Sequence, residues 1–174
     1  MNKQIIKTII GEKQLEIRDL KLLQRGEQFD ERCSYVLTGI RRAGKSYTLY
    51  QDMLDRMSSG NAQVEDFLYV NFEDERIASM EASELGLVLD AYWEMCDQKH
   101  PYIYLDEIQN ITGWEKFARR LTESKHHVMI TGSNAKMLSK EITSTLGGSY
   151  IQRDIYPFSF AEYLRYFGVE LGKN

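Results

Sequence analysis

The sequence predicts an α/β fold, a three-layer sandwich in which a parallel sheet lies between two layers of helices. The first observation is that short apolar runs alternate along the chain with segments of helical periodicity. The second is that the middle runs are almost wholly apolar, which is typical of strands buried on both faces of a parallel sheet. In such sheets ligands bind outside the carboxyl ends of the strands. We therefore expect a functional site at that edge.

Five apolar runs are predicted strands, and four segments with apolar residues at i, i+3, i+4 and i+7 are predicted helices. The strands are residues 34–38, 67–72, 102–106, 128–131 and 150–156. The helices are marked by Tyr50, Met53, Leu54 and Met57; Leu85, Val88, Leu89 and Tyr92; Trp114, Phe117, Ala118 and Leu121; and Phe160, Tyr163, Leu164 and Phe167. A further helical pattern at Ala135, Leu138 and Ile142 follows the fourth run.

Polar residues predict where three of these helices begin. Ser83 is a candidate N-cap of the second helix. Thr112 with Glu115 and Ser159 with Glu162 have the spacing of capping boxes at the third and fourth helices.

The composition is that of one globular domain. The chain has 174 residues, of which 43% are hydrophobic and 28% are charged. The formal net charge of -4 weakly disfavours a surface devoted to nucleic acid. No run approaches the roughly 20 apolar residues that span a membrane, and the N-terminus lacks the features of a signal peptide. Cys33 and Cys96 are predicted to be reduced thiols, and we expect a cytoplasmic protein.

The stretch TGIRRAGKSYTLYQ contains the pattern GxxxxGK[ST] between a predicted strand and a predicted helix. Glycine lets a loop curl tightly so that backbone N–H groups converge on phosphate oxygens, and the helix start adds a positive dipole end. The alternative is a surface turn that matches by chance, which the flanking elements disfavour. The predicted nucleotide-binding residues are Gly39, Arg41, Arg42, Ala43, Gly44, Lys45, Ser46 and Tyr47.

Two side chains of this loop have predicted roles. Lys45 would reach the β- and γ-phosphates, and Ser46 would ligate Mg²⁺ through its hydroxyl group. For Arg41 and Arg42 a solvated surface position is an equally good interpretation.

Asp106 and Glu107 close the apolar run YIYLDE, which has the form of a Walker B element. Asp106 is predicted to hold Mg²⁺ through water, and Glu107 to orient and polarise the attacking water. The alternative is an ordinary acidic turn after a strand. A small-molecule kinase has no use for such a glutamate, and NAKM at 134–137 lacks the Asp of a guanine-reading NKxD motif. Hydrolysis is therefore favoured over transfer to a small acceptor.

The run VMITGSN ends with Ser133 and Asn134. A polar side chain on the strand beside Asp106 can contact the γ-phosphate or the attacking water, so Asn134 is a candidate sensor. Ser and Asn are also preferred N-caps, and a helical pattern follows. Both roles are left open.

Several segments together resemble the AAA+ superfamily, and more narrowly the prokaryotic predicted ATPases whose N-terminal AAA domain precedes a domain of unknown function. They are GIRRAGKS, YVNFEDER, YLDEIQNITGWEKFARRL, ITGSNAKMLSKE and IYPFSFAEYL, between about residues 35 and 164. The resemblance implies a P-loop sheet in the order 5-1-4-3-2, with ATP as nucleotide and Mg²⁺ as cofactor. It implies a Walker A motif at Gly39, Gly44, Lys45 and Ser46, a Walker B motif at Asp106 and Glu107, and a first sensor at Asn134.

We expect residues 1–30 to form an N-terminal extension with a helix, and residues 31–174 to form the ATPase core without its helical lid and C-terminal domain. Relatives carry an arginine, a candidate arginine finger, where TLGGSY has Ser149. Arg153 lies four residues further on and is a weaker candidate, since pairing with a carboxylate is the simpler interpretation. The FED element at 72–74, with Glu73 and Asp74, is either functional or an acidic loop cap.

The function expected from these residues is hydrolysis of Mg·ATP. The alternative is a nucleotide-dependent switch that binds ATP with little turnover and controls a partner. Ser149 in place of the arginine favours it, because an arginine finger can be worth about 10³–10⁵ in rate. ATP and ADP are the expected ligands, and a homo-oligomer is compatible with the resemblance.

Overall fold

The computed structural model describes residues 1–133, 146 and 148–168, and a five-stranded sheet forms its centre. The strands are β1 (Ser34–Gly39), β2 (Phe67–Asn71), β3 (Tyr102–Asp106), β4 (Val128–Ser133) and β5 (Tyr150–Asp154). They lie in the order β2-β3-β4-β1-β5, and every neighbouring pair is parallel. The predicted parallel α/β fold and the implied order 5-1-4-3-2 are therefore confirmed.

Five α-helices accompany the sheet within the described residues. They are α1 (Lys3–Asp19), α2 (Lys45–Ser58), α3 (Gly86–Trp93), α4 (Glu115–Glu123) and α5 (Phe160–Tyr166). The four predicted amphipathic segments correspond to α2 through α5, and α1 lies within the segment 1–30. The helical pattern at Ala135, Leu138 and Ile142 lies outside the described residues.

Two of the three predicted helix starts are wrong. Ser83 lies inside a 3-10 turn (Ala82–Glu84) that Glu81 and Glu84 cap reciprocally, and α3 begins only after that turn, without a side-chain cap. At α4 the N-cap residue is Trp114 instead of Thr112, because the indole is buried in the core and fixes the chain there. The predicted capping box of Ser159 and Glu162 at α5 is confirmed.

The side chains of the strands alternate between two apolar cores, one on each face of the sheet. On β1, Val36 belongs to the first core and Leu37 to the second, and on β2 the same holds for Leu68 and Tyr69. Helices α3 and α4 contribute to the first core, and α2 contributes to the second. Burial on both faces explains why these strands are almost wholly apolar in sequence.

Helix α1 belongs to both layers. Ile6 and Ile10 are buried in the first core, whereas Ile17 is buried in the second. Between them, Gln14 donates through Nε2 to the Phe67 carbonyl at 3.0 Å, on the edge strand β2. The helix therefore crosses the β2 edge and covers backbone groups that would otherwise be open to pairing.

Cys33 and Cys96 are free thiols. Among the described residues, no helix has the length and apolar character needed to cross a membrane.

Candidate functional site

Residues 39–46, here called the 39–46 loop, join the end of β1 to the start of α2. Gly44 precedes α2 with a φ of 97°, and Arg42 has a φ of 65°. The Ala43 N–H donates to the Ile40 carbonyl at 3.2 Å and closes the turn. Left-handed residues in a tight turn direct successive N–H groups into a common concavity, which is an anion-binding arrangement.

Gly39 is required here for a steric reason. A Cβ atom at this position would lie 2.3 Å from the Ile155 carbonyl oxygen. Ile155 in turn donates its N–H to the Thr38 carbonyl at 2.6 Å. The segment after β5 therefore packs on the start of the 39–46 loop, and only glycine permits this approach.

Lys45 is folded back across its own loop. Its Nζ donates to the carbonyls of Gly39 at 3.2 Å and Ile40 at 3.3 Å, and only 5% of the residue is exposed. The same Nζ lies 3.5 Å from Oε1 of Glu107. The structure thus brings the loop and the acidic pair after β3 into contact.

Asp106 is completely buried at the end of β3 and both of its carboxylate oxygens accept hydrogen bonds. Tyr69 donates to Oδ2 at 2.6 Å, and Thr131 donates to Oδ1. Burial and the adjacent Asp106 charge raise the pKa of Tyr69 far above its ordinary value, so its hydroxyl stays a donor. The carboxylate orientation is therefore fixed from two neighbouring strands.

Glu107 has a left-handed backbone with a φ of 53°, which turns the chain away from β3. Its N–H donates to Oγ1 of Thr131 at 2.9 Å, and Gln109 donates through Nε2 to its Oε2 at 2.5 Å. Within the described residues, the other Gln109 amide atom, Oε1, is buried without a hydrogen-bond partner. An acceptor left open beside two charged side chains is suited to a bound water or ligand.

A cavity of about 510 Å³, here called the phosphate-side cavity, is lined by Lys45 and Glu107 but not by the completely buried Asp106. Its lining residues are Arg41, Arg42, Gly44, Lys45, Ser46, Tyr47, Glu73, Glu107, Gln109 and Asn110. The exposed Arg41 side chain lies 3.7 Å from Glu73 across the opening. Asp74, by contrast, caps a 3-10 turn by accepting from the Arg76 N–H, so the FED element divides between a loop cap and a cavity residue.

A second cavity of about 440 Å³, here called the α5-side cavity, lies on the other side of the 39–46 loop. Its lining residues are Lys21, Leu22, Leu23, Arg25, Arg42, Ala43, Gly44, Tyr47, Gln51, Phe158 and Tyr166. Sequence reasoning missed this cavity, because the segment before β1 carries no motif and becomes part of the site only through folding.

Arg25 holds the α5-side cavity together. Its guanidinium group donates to the Ala43 carbonyl at 3.1 Å and to the Tyr156 carbonyl at 2.8 Å. Its Nε donates to Glu162 Oε1 at 2.9 Å, and this bond lowers the pKa of Glu162 to about 2. Arg25 thereby ties the 39–46 loop to the chain after β5 and to α5.

Asn134 lies outside the described residues. Ser149 and Arg153 are exposed at β5, and within the described part of the chain Arg153 has no carboxylate at ion-pair distance.

A family model described as "AAA domain" matches residues 31–164. The chain is 38% identical over 131 residues to "Uncharacterized protein MJ1544" of Methanocaldococcus jannaschii, and 37% identical over 140 residues to an uncharacterized protein of Haemophilus influenzae. The matches cover 75% and 74% of this chain but only 28% and 32% of those proteins, so the chain spans about a third of their length or less.

Two solved structures align with the chain at low identity and with TM-scores below 0.5. AMPPCP-bound DnaA from Aquifex aeolicus is 15% identical with a TM-score of 0.49, over 95% of this chain and 51% of that chain. Cdc6p from Pyrobaculum aerophilum is 13% identical with a TM-score of 0.47, over 95% of this chain and 47% of that chain.

The residues that the family model matches include every strand of the sheet, the 39–46 loop and the Asp106–Glu107 pair. The chain therefore belongs to the AAA-domain family and is a P-loop ATPase-like domain of AAA type.

Proposed function

We propose that this domain binds Mg·ATP at the 39–46 loop and hydrolyses it slowly, with Glu107 orienting the attacking water. The observation that carries the proposal is the 3.5 Å approach of Lys45 Nζ to Glu107 Oε1. It places a cation for phosphate and a carboxylate for water beside one cavity, at the carboxyl edge of a parallel sheet.

The phosphates fit the 39–46 loop. Its left-handed residues form a concavity of N–H groups, and the start of α2 adds the positive end of a helix dipole. Lys45 is held near this concavity by carbonyls of its own loop, and on nucleotide binding it would exchange them for β- and γ-phosphate oxygens. Such charge-assisted bonds are about twice as strong as neutral ones.

The donor set also fits Mg²⁺, which prefers oxygen ligands and keeps several waters. Ser46 would supply a hydroxyl oxygen, and Asp106 would accept from metal-bound water. Oε1 of Gln109, which is buried without a hydrogen-bond partner among the described residues, provides a further acceptor at the phosphate-side cavity. When bound, the ion neutralises charge that develops on the phosphates.

The base fits the α5-side cavity, which shares Gly44, Arg42 and Tyr47 with the phosphate-side cavity. Leu22 and Leu23 offer apolar surface, and Phe158 and Tyr166 offer aromatic surface. A planar, partly polar ring such as adenine is bound by this combination. The loop between the two cavities would then lie against the phosphates.

In the reaction Glu107 takes a proton from water as its oxygen bonds to the γ-phosphorus, and the bond from that phosphorus to the β–γ bridging oxygen breaks. Lys45 balances negative charge during transfer, and ADP leaves with inorganic phosphate. Asn134 is proposed as the sensor that contacts the γ-phosphate or this water, on the basis of its position after β4.

A binding switch with little turnover is the second candidate. The Glu107 carboxylate already has a polar neighbour at each oxygen, Lys45 at 3.5 Å and Gln109 at 2.5 Å, and an attacking water would compete with both. Ser149 also stands where the resemblance implies an arginine. If a neighbouring copy supplied that charge, phosphate release per subunit would rise with protein concentration.

Calorimetric titration with ATP and ADP, with and without Mg²⁺, tests the proposal, and Lys45→Ala is the control. We expect binding by the parent and a loss of roughly tenfold or more in the variant, because a charge-assisted contact is removed. Equal affinities in the two proteins would overturn the proposed site. Phosphate release by the bound parent then separates hydrolysis from the switch.

A further inference from the structure

A chain of hydrogen bonds runs from the surface of α1 to the buried Asp106 carboxylate. Lys13 Nζ lies 3.1 Å from the Tyr50 hydroxyl group, which lies 3.0 Å from the Tyr69 hydroxyl group. Tyr69 donates to Asp106 Oδ2 at 2.6 Å. Four elements, α1, α2, β2 and β3, thus contribute one member each.

The direction of this chain follows from the chemistry of its ends. An ammonium group has no lone pair to accept with, and an ionised carboxylate has no proton to donate. Tyr69 uses its single proton on Asp106, so Tyr50 must donate to Tyr69 and accept from Lys13. Every bond therefore points toward Asp106 and helps to fix the orientation of its carboxylate.

Lys13 is held at the start of the chain by more than one contact. Its Nζ pairs with Glu16 at 2.5 Å and lies 4.8 Å and 5.0 Å from the ring centroids of Tyr50 and Tyr69. Burial lowers the pKa of Lys13, but its bonds to Glu16 and Tyr50 outweigh burial and raise it overall. A charged group therefore faces both tyrosine rings.

The same chain braces α2 against β3. Ser46 and Tyr50 lie one turn apart on α2, so the position of Tyr50 constrains that of Ser46. Tyr69 joins Tyr50 to Asp106 in a core where side chains are close-packed and cannot drift. The two candidate Mg²⁺ residues, Ser46 and Asp106, are thus linked through Tyr50 and Tyr69, and Lys13 contacts Tyr50 from outside.

We propose that Lys13, Tyr50 and Tyr69 are positioning residues for Asp106. Through Lys13, helix α1 would thereby help to order the proposed nucleotide site. This inference rests on the proposed function, in which Asp106 orders metal-bound water. Helix α1 lies outside residues 31–164, which the family model matches. Displacing α1 would loosen the metal site without touching the nucleotide.

The structure offers a matched comparison inside the same core. Tyr104 is also fully buried and donates to a carboxylate, Asp52 Oδ2, at the same distance of 2.6 Å. That pair is bonded to Arg56, and among the described residues none of its hydrogen bonds leads to Asp106. Tyr104→Phe therefore removes the same kind of bond with no path to Asp106.

The test measures ATP affinity by calorimetry in Mg²⁺ and in EDTA, for the parent, Tyr69→Phe, Tyr50→Phe and Tyr104→Phe. We expect Tyr69→Phe to reduce the ratio of the two affinities roughly 10- to 100-fold, the usual effect of losing a bond to a metal ligand. Tyr50→Phe should reduce it less, because Tyr69 still contacts Asp106. Affinity in EDTA should stay near that of the parent, and Tyr104→Phe should keep the parent's ratio.

Lys13→Met covers the case in which a buried tyrosine variant does not fold, since the Lys13 side chain is partly exposed and Met keeps most of its aliphatic length. We expect Lys13→Met to have a smaller ratio of ATP affinity in Mg²⁺ to that in EDTA than the parent. In the double variant Lys13→Met/Tyr69→Phe, the free-energy change in this ratio should be less than the sum of the two single changes. The parent's ratio in every folded variant would overturn the inference and leave the proposed function standing. A parent whose ATP affinity ignores Mg²⁺ would instead overturn the proposed metal site, and the inference with it.

Discussion

Lys45 Nζ lies 3.5 Å from Oε1 of Glu107, although Lys45 begins α2 and Glu107 follows β3, two strands away from β1. The parallel sheet produces this contact, because the carboxyl ends of its strands meet at one edge. In this pair each side chain interacts with the group that the other would give up on nucleotide binding. Phosphate would compete for the Lys45 ammonium group, and water would compete for the Glu107 carboxylate. This exchange makes Glu107 the most informative residue to change.

Glu107→Gln is expected to bind ATP at least as well as the parent and to release phosphate about 10²-fold more slowly or worse. An amide keeps the shape but cannot take a proton from water. It also removes a negative charge that would repel the γ-phosphate. Calorimetry measures the first effect, and single-turnover phosphate release measures the second.

The matched control is Glu123→Gln at the end of α4, which precedes β4 and so lies toward the opposite edge of the sheet. Its exposed pair with Arg119 carries little energy, and we expect parent-like binding and turnover. Unchanged turnover in Glu107→Gln would exclude Glu107 as the group that orients water.

Gly39→Ala is expected to destabilise the fold and abolish ATP binding. The new methyl group would meet the Ile155 backbone carbonyl at 2.3 Å, and a backbone atom in a bonded segment cannot move aside. Overpacking of this kind costs typically about 1–3 kcal/mol. Urea unfolding and ATP titration check the two effects.

Gly11→Ala is the contrasting substitution. Gly11 lies inside α1, where a Cβ would be 3.7 Å from the end of the flexible Met95 side chain. Because alanine is a better helix former, we expect a gain of about 0.5–1 kcal/mol. If Gly39→Ala were as stable as Gly11→Ala, the close approach to Ile155 would not exist in solution.

The sheet could be predicted because its signal is local. Strands β2 and β3 lie inside runs that are apolar at nearly every position, as burial on both faces requires. The predicted starts of α3 and α4 are wrong for the opposite reason. At α4 the packing of Trp114 outweighs a cap worth about 1 kcal/mol. Tertiary contacts decide such boundaries, and they cannot be read from neighbouring residues.

The candidate site divides in the same way. The 39–46 loop and the Asp106–Glu107 pair are continuous in sequence and could be found there. Tyr69, Thr131 and Arg25 contact them from distant positions, and their residue types are ordinary in strands and connecting segments. The hydroxyl groups of Tyr69 and Thr131 reach the Asp106 carboxylate from neighbouring strands. Such a contact cannot be predicted from the sequence until the strand order is known.

Arg25→Met is expected to weaken ATP binding roughly threefold to tenfold and to destabilise the domain by about 1–3 kcal/mol. The side chain loses three hydrogen bonds, to Ala43, Tyr156 and Glu162, and the partly buried Glu162 loses its cation. Methionine keeps the aliphatic part of the side chain, but the guanidinium carbon that lies 5.0 Å from the Phe158 ring centroid is lost together with these bonds. Urea unfolding and calorimetry measure both quantities.

Arg18→Met tests whether any lost arginine pair has this effect. Arg18 pairs with Glu65, and both side chains are more than half exposed. We expect a change of less than about 0.5 kcal/mol and normal ATP affinity. Equal behaviour of Arg18→Met and Arg25→Met would contradict the role of Arg25 in holding the loop.

Acid should destabilise the domain through His127. Its Nδ1 lies 3.2 Å from the Glu31 carbonyl and must donate, while Nε2 lies 3.2 Å from the Arg56 guanidinium and must accept. The ring is therefore neutral, and burial together with the Arg56 charge lowers the pKa of His127 to about 4 despite the nearby Asp52. Unfolding restores an ordinary pKa near 6.5.

Between these two pKa values the unfolded chain binds a proton that the folded chain does not. Stability from neutral His127 is therefore complete above about pH 6.5 and falls as the pH drops toward 4, by on the order of 1–3 kcal/mol. Urea unfolding at pH 7 and pH 5 should show a smaller difference for His127→Gln than for the parent. His100→Gln removes an exposed imidazole and should keep most of the parent's difference. A parent-like difference in His127→Gln would mean that His127 does not titrate in this range.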